Sequence, residues 1–119
     1  MAKVLFCEDD ALIRKMIGVM LRGSEHEVVI AADGDEGLAL IESERPDVVF
    51  TDRWMPGVDG LALCDAVKAR PEFAHIPVIL VTASIEDDER AEALRHGVSA
   101  VLQKPFTMAE LRAQVERFA

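Results

Sequence analysis

The chain has 119 residues, half of them hydrophobic and few aromatic, with a formal net charge of −9. That length holds one domain with a single sizeable core, and an aliphatic composition suits an α/β core better than an all-β sandwich. The charge excludes a direct nucleic-acid or anionic-membrane surface, because both need clustered Lys and Arg to offset phosphate.

Apolar runs of strand type alternate with helical periodicity five times, the pattern of βαβ units around a parallel sheet. The first run, Val4 to Cys7, ends in Glu8-Asp9-Asp10. A helix follows with Ile13, Met16, Ile17, Met20 and Leu21 on one face, and it stops at Gly23. A short second strand, Glu27 to Ala31, leads to a helix over about Gly34 to Glu44, and Pro46 separates that helix from the next strand.

The third strand, Val48 to Phe50, runs into Asp52, and Met55-Pro56-Gly57-Val58 then forces a turn. Pro pre-sets φ at the first corner and Gly supplies the positive φ that a type II turn needs next. The third helix covers about Asp59 to Ala69, with Leu63 and Val67 inward and Leu61 and Cys64 adjoining. Val78 to Thr82 is continuously apolar, as expected of a strand covered on both faces. The fourth helix opens on Glu86, Asp87, Asp88 and Glu89, which complement its dipole, and closes at Gly97. Its apolar face is thin, mainly Ala91 and Leu94, so it is expected to be the least firmly packed helix. The last strand, about Ser99 to Gln103, meets Lys104-Pro105-Phe106. Thr107-x-x-Glu110 is a capping box for a last helix whose stripe is Met108, Leu111, Val115 and Phe118.

In an open parallel sheet, ligands bind beyond the carboxyl ends of the strands. Glu8 and Asp9, Asp52, Thr82 and Lys104 all fall there, so residues distant in sequence are expected to meet. Three close carboxylates repel one another, and a hard divalent cation with oxygen ligands, most simply Mg²⁺, relieves that repulsion. A lysine and a hydroxyl beside them are donors for phosphoryl oxygens. This donor set points to phosphoryl transfer onto a carboxylate, with Asp52 as nucleophile, Asp9 and Asp52 holding Mg²⁺, Glu8 acting through a metal-bound water, and Lys104 and Thr82 engaging the phosphoryl group. Taken singly, each has a plainer reading: Asp10 caps the first helix, Thr82 is a strand-end hydroxyl, Lys104 is a solvated charge. The combination at four strand ends outweighs these.

Two cysteines, Cys7 and Cys64, lack metal or redox spacing and read as reduced structural thiols. His26, His75 and His96 are scattered and read as surface or helix-end groups. Arg53 reads as a solvated charge. The chain shows no leader peptide and no membrane-length apolar run, so a cytoplasmic location is expected.

The motifs Val4-Leu5-Phe6-Cys7-Glu8-Asp9-Asp10, Asp52 with Met55-Pro56-Gly57-Val58-Asp59-Gly60, Val81-Thr82-Ala83 and Lys104-Pro105-Phe106 resemble, in order and spacing, the receiver domain of two-component response regulators over essentially the whole chain. The resemblance implies a flavodoxin-like, doubly wound five-stranded parallel sheet of order 2-1-3-4-5, with two helices on one face and three on the other. It implies one receiver domain over residues 1–119 and no output domain, either a stand-alone protein or a piece of a larger regulator or hybrid kinase. It further implies a phosphorelay switch, not a dedicated turnover enzyme: Asp52 would receive phosphate from a histidine kinase or histidine phosphotransfer protein. The switch would then signal to a protein target through the fourth helix, fifth strand and fifth helix. The main-chain carbonyl of Trp54 would be a third protein ligand of Mg²⁺, and the peptide before Pro105 would be cis.

Two positions depart from the family. Val101 stands where the family usually has Tyr or Phe, and Trp54 stands where smaller or more flexible residues are common. The Trp54 indole either shields the phosphoryl group from water or lies on the surface. Other classes fit less well. A phosphatase of the haloacid dehalogenase type needs an Asp where Trp54 stands, and a flavodoxin-like cofactor binder would have its phosphate repelled by Glu8-Asp9-Asp10. A degenerate receiver that binds partners without phosphorylation is the remaining alternative.

Overall fold

The computed structural model describes residues 1–119. Five strands, β1 (Lys3–Cys7), β2 (Glu27–Ala31), β3 (Val48–Asp52), β4 (Val78–Thr82) and β5 (Ala100–Gln103), alternate with α1 (Ala11–Met20), α2 (Gly34–Glu44), α3 (Gly60–Ala69), α4 (Asp87–Arg95) and α5 (Met108–Phe118). All neighbouring strands are parallel and the sheet order is β2-β1-β3-β4-β5. The expected doubly wound fold is therefore present, and most element boundaries fall within one residue of the sequence reading.

The strand composition explains which strands are central. Every residue of β3 and of β4 is buried, as continuous aliphatic runs require when helices cover both faces. Alternate side chains feed two apolar layers. Val4, Phe6, Val48, Phe50, Ile79 and Val81 meet Ile17, Leu21, Leu111 and Val115 on the α1/α5 face. Leu5, Cys7, Val49 and Leu80 meet Ile41, Leu63, Val67 and Ala93 on the α2/α3/α4 face. Phe6 and Phe50 stack across β1 and β3 with centroids 5.4 Å apart.

The helix ends follow sequence chemistry. Asp10, Asp33 and Asp59 cap α1, α2 and α3 with side-chain oxygens, and Thr107 with Glu110 closes a full capping box on α5. Two expectations about helix faces need correction. In α4 the buried residue is Ala93, whereas Ala91 is exposed and Leu94 is 53% exposed. With three apolar residues in nine, periodicity could not fix the phase. In α5, Leu111 and Val115 are buried but Met108, the first residue of the helix, is half-exposed. No helix is long and apolar enough to cross a membrane.

Candidate functional site

The sequence places Asp52 at the last position of a fully buried strand, and the following turn holds it there. Arg53 N–H donates to Val81 O at 3.0 Å, continuing the β3–β4 ladder one residue further, and Gly60 N–H donates back to Arg53 O at 3.0 Å. Gly57 takes φ +74°, the conformation expected for the turn. Gly60 is required for packing: a Cβ there would run into the main-chain carbonyl of Asp52. Asp59 then caps α3 through Ala62 N–H at 2.9 Å.

The other strand ends bring their groups to the same place. Glu8 is fully buried, with its main chain tied to Ala31 O at 3.0 Å and its Oε2 accepting from Asp10 N–H at 3.1 Å. Asp9 is exposed, and Asp10 is occupied as the α1 cap, as its plainer reading anticipated. Carboxylate oxygens of Glu8, Asp9 and Asp52 lie within 4.8 Å of one another. Lys104 is delivered by a cis Lys104–Pro105 peptide, with its N–H on Thr82 O at 2.8 Å. Its ammonium sits 2.8 Å from Glu8 Oε1 and 2.8 Å from Asp52 Oδ1. Thr82, 9% exposed, accepts Ser84 N–H on its hydroxyl at 3.3 Å. Glu8, Asp9, Asp52, Thr82 and Lys104 therefore meet at the carboxyl end of the sheet.

The electrostatics are those of a negative site held partly neutral. Burial pushes the Glu8 carboxyl up and the Asp52 charge adds to that, while Lys104 and the Asp10 N–H act in the opposite sense. For Lys104 burial favours the neutral amine, but the ion pairs with Asp52 and Glu8 outweigh it and hold the ammonium above its usual value. Glu8 Oε1 is at ion-pair distance from Lys104 yet has no aligned hydrogen-bond donor, a buried acceptor with capacity left over. Three carboxylates against one ammonium also leave net negative charge. Both features fit a bound cation with a water shell.

One residue contradicts the sequence reading. Arg53 is no solvated charge: its side chain is 16% exposed, with NH1 3.3 Å from Asp59 Oδ2 and NH2 3.6 Å from Glu92 Oε1. Its guanidinium carbon lies 3.8 Å from the centroid of the Trp54 ring. Trp54 is 68% exposed and borders the cavity that opens onto Asp52 and Lys104. The Glu92 contact reaches across to α4, so no local sequence signal could have announced it.

Sheet order and acidic edge together define a doubly wound α/β domain with its chemistry at the strand carboxyl ends. Within that class, the model of the response regulator receiver domain matches residues 4–116, and the chain belongs to that family. It is similar to the chemotaxis protein CheY4 of Vibrio cholerae, with TM-score 0.94 and 32% identity, covering 100% of this chain and 99% of that one. It is also similar to the receiver domain of the sensor histidine kinase PA1611 from Pseudomonas aeruginosa PAO1, solved with magnesium coordinated in its active-site cleft. There the TM-score is 0.89 and the identity 29%, covering 98% of this chain and 96% of that one. The probable transcriptional regulator ycf27 of Guillardia theta is 36% identical over 113 residues, which is 95% of this chain and 43% of that protein. The chain spans half or less of the length of this and several other curated relatives it matches.

Proposed function

We propose that this receiver domain is a phosphorylation-controlled switch whose acceptor is Asp52, charged by a histidine kinase or histidine phosphotransfer protein. The observation that carries this reading is the ammonium of Lys104 shared at 2.8 Å between Asp52 and buried Glu8, beside Asp9. Lys104 occupies Oδ1 of Asp52, which leaves Oδ2 as the freer oxygen. That oxygen forms the new P–O bond as the P–N bond to the donor imidazole breaks, its electron pair remaining on the imidazole nitrogen. Asp9, Asp52 and the Trp54 carbonyl would hold Mg²⁺ directly and Glu8 through a water, and the ion would neutralise charge on the phosphoryl oxygens. Lys104 moves from an Asp52 oxygen to a phosphoryl oxygen. The Thr82 hydroxyl accepts from Ser84 in the unmodified state, so its proton is free to be donated to the arriving group.

Two surfaces support a role in protein–protein signalling. Leu12, Met16 and Val19 are exposed on α1, and a groove of about 330 Å³ lies alongside, between Ile13, Met20 and Phe106 and bordering Lys104. This surface suits the phosphoryl donor because it adjoins the site. Leu94 on α4 and Met108 on α5 are exposed on the face proposed for the downstream target.

Trp54, the only tryptophan, is the probe. Its fluorescence is expected to change saturably with Mg²⁺ and again with beryllofluoride, a phosphoryl mimic, and Asp52→Asn is expected to abolish the second change. No response to either, with no Mg²⁺ binding by calorimetry, would overturn the reading in favour of a constitutive interaction module.

A further inference from the structure

Arg53 follows the proposed acceptor directly, yet its side chain does not serve that site in the present arrangement. Its main chain is fixed on both sides, to Val81 O and to Gly60 N, so that motion is left to the side chain. The guanidinium reaches away to Asp59 and to Glu92, and the Glu92 contact at 3.6 Å ties the middle of α4 to the edge of the site, whereas the C-cap residue His96 pairs with Asp65 at 2.7 Å at the far end of the helix. Within its span α4 has one buried side chain, Ala93, and no side-chain cap at its N-terminus.

Beside this contact lies a cavity of about 360 Å³ bordered by Arg53, Trp54, Thr82, Ser84, Glu92 and Val101. A second cavity, sharing Arg53, Trp54, Thr82 and Ser84, opens onto Asp52 and Lys104. Arg53 therefore faces both the acceptor and the space under α4, and the short Val101 side chain leaves that space unfilled. A planar guanidinium prefers a phosphoryl dianion, which can take two of its N–H groups at once, to a carboxylate half open to water. Glu92 is such a carboxylate, with its side chain 48% exposed.

We propose that Arg53 is a positioning residue that couples the acceptor site to α4: it clasps the helix through Glu92 while Asp52 is unmodified. When a phosphoryl group on Asp52 draws the guanidinium toward the cavity, the helix is released. The proposal rests on Asp52 being the phosphoacceptor. The clasp stabilises the unmodified arrangement, so breaking it favours the other state by the same factor.

The test is a double-mutant cycle read by beryllofluoride titration in saturating Mg²⁺. Glu92→Gln is expected to tighten beryllofluoride binding roughly two- to five-fold, the range for a half-exposed ion pair, and to leave Mg²⁺ affinity unchanged. In an Arg53→Gln background the same substitution is expected to change nothing. Amide exchange in residues 89–95 should quicken in wild type on beryllofluoride binding, and in Glu92→Gln it should already be quick without it. An unchanged affinity in Glu92→Gln, or an equal change with and without Arg53, would overturn the clasp while leaving the phosphoacceptor intact. Failure of wild type to bind beryllofluoride would instead overturn the assignment of Asp52 and the clasp with it.

Discussion

Helices α4 and α5 flank β5 on opposite faces of the sheet and are built from opposite materials. Helix α5 drives Leu111 and Val115 into the layer with Phe6, Phe50 and Ile79, starts with a complete capping box, and is tied to the end of α1 by Arg112 on Met20 O at 3.1 Å. Helix α4 buries one alanine and opens on an uncapped acidic turn. It is held to the edge of the site by a charge pair. Burial is short-ranged and indifferent to a charge arriving nearby, whereas an ion pair at a cavity mouth is not. The fold thus fixes one neighbour of β5 and leaves the other responsive.

If that contrast is real, a deletion in α5 should cost far more than any change in α4. Leu111 is fully buried, and Leu111→Ala is expected to destabilise the domain by about 2–5 kcal/mol, from lost burial plus the cavity left behind. Urea titration would measure it, and a loss below about 1 kcal/mol would break the comparison. Next in size is Thr107→Ala, which leaves the Glu110 N–H without its partner and should cost about 1 kcal/mol. Glu92→Gln should be smaller still, below about 1 kcal/mol, because the pair is half open to water. A larger loss there would mean that α4 is anchored by that pair more firmly than its packing indicates.

The same contrast marks where the sequence was legible. The parallel sheet and the convergence of Glu8, Asp9, Asp52, Thr82 and Lys104 could be anticipated because parallel strands impose period, direction and a common edge, and those constraints are written locally; the strand order came from the family resemblance alone. The α5 stripe could be read at Leu111 and Val115 because strong periodicity fixes a phase. In α4 the apolar signal was too sparse, and the expected Ala91 and Leu94 proved exposed while Ala93 is buried. Arg53 was misread for a related reason. Its partners Asp59 and Glu92 come from two other elements, and a charged residue next to a strand end looks solvated until the tertiary fold closes over it.

The smallest expected effect needs no loss of stability, and it separates α4 from the core most finely. Cys64 is fully buried, and its thiol donates to His96 O at 3.4 Å, at the C-terminal end of α4. Burial pushes that thiol up to about 11 and pushes Cys7, packed under α2 beside Gly37, up to about 12. Because the thiolate is the nucleophile, neither should react with iodoacetamide in the closed state near neutral pH. If α4 lifts locally, Cys64 is uncovered with an ordinary thiol pKa near about 8.5 while Cys7 stays protected. The labelling rate of Cys64 should then rise tenfold per pH unit at first and level off above about 8.5, whereas attack on the closed state would keep rising toward about 11. Glu92→Gln should label Cys64 faster by roughly the two- to five-fold expected for loss of the pair, with Cys7 unaffected. Equal labelling of both cysteines would mean that the molecule opens as a whole, and the distinction between a fixed and a responsive neighbour of β5 would fall.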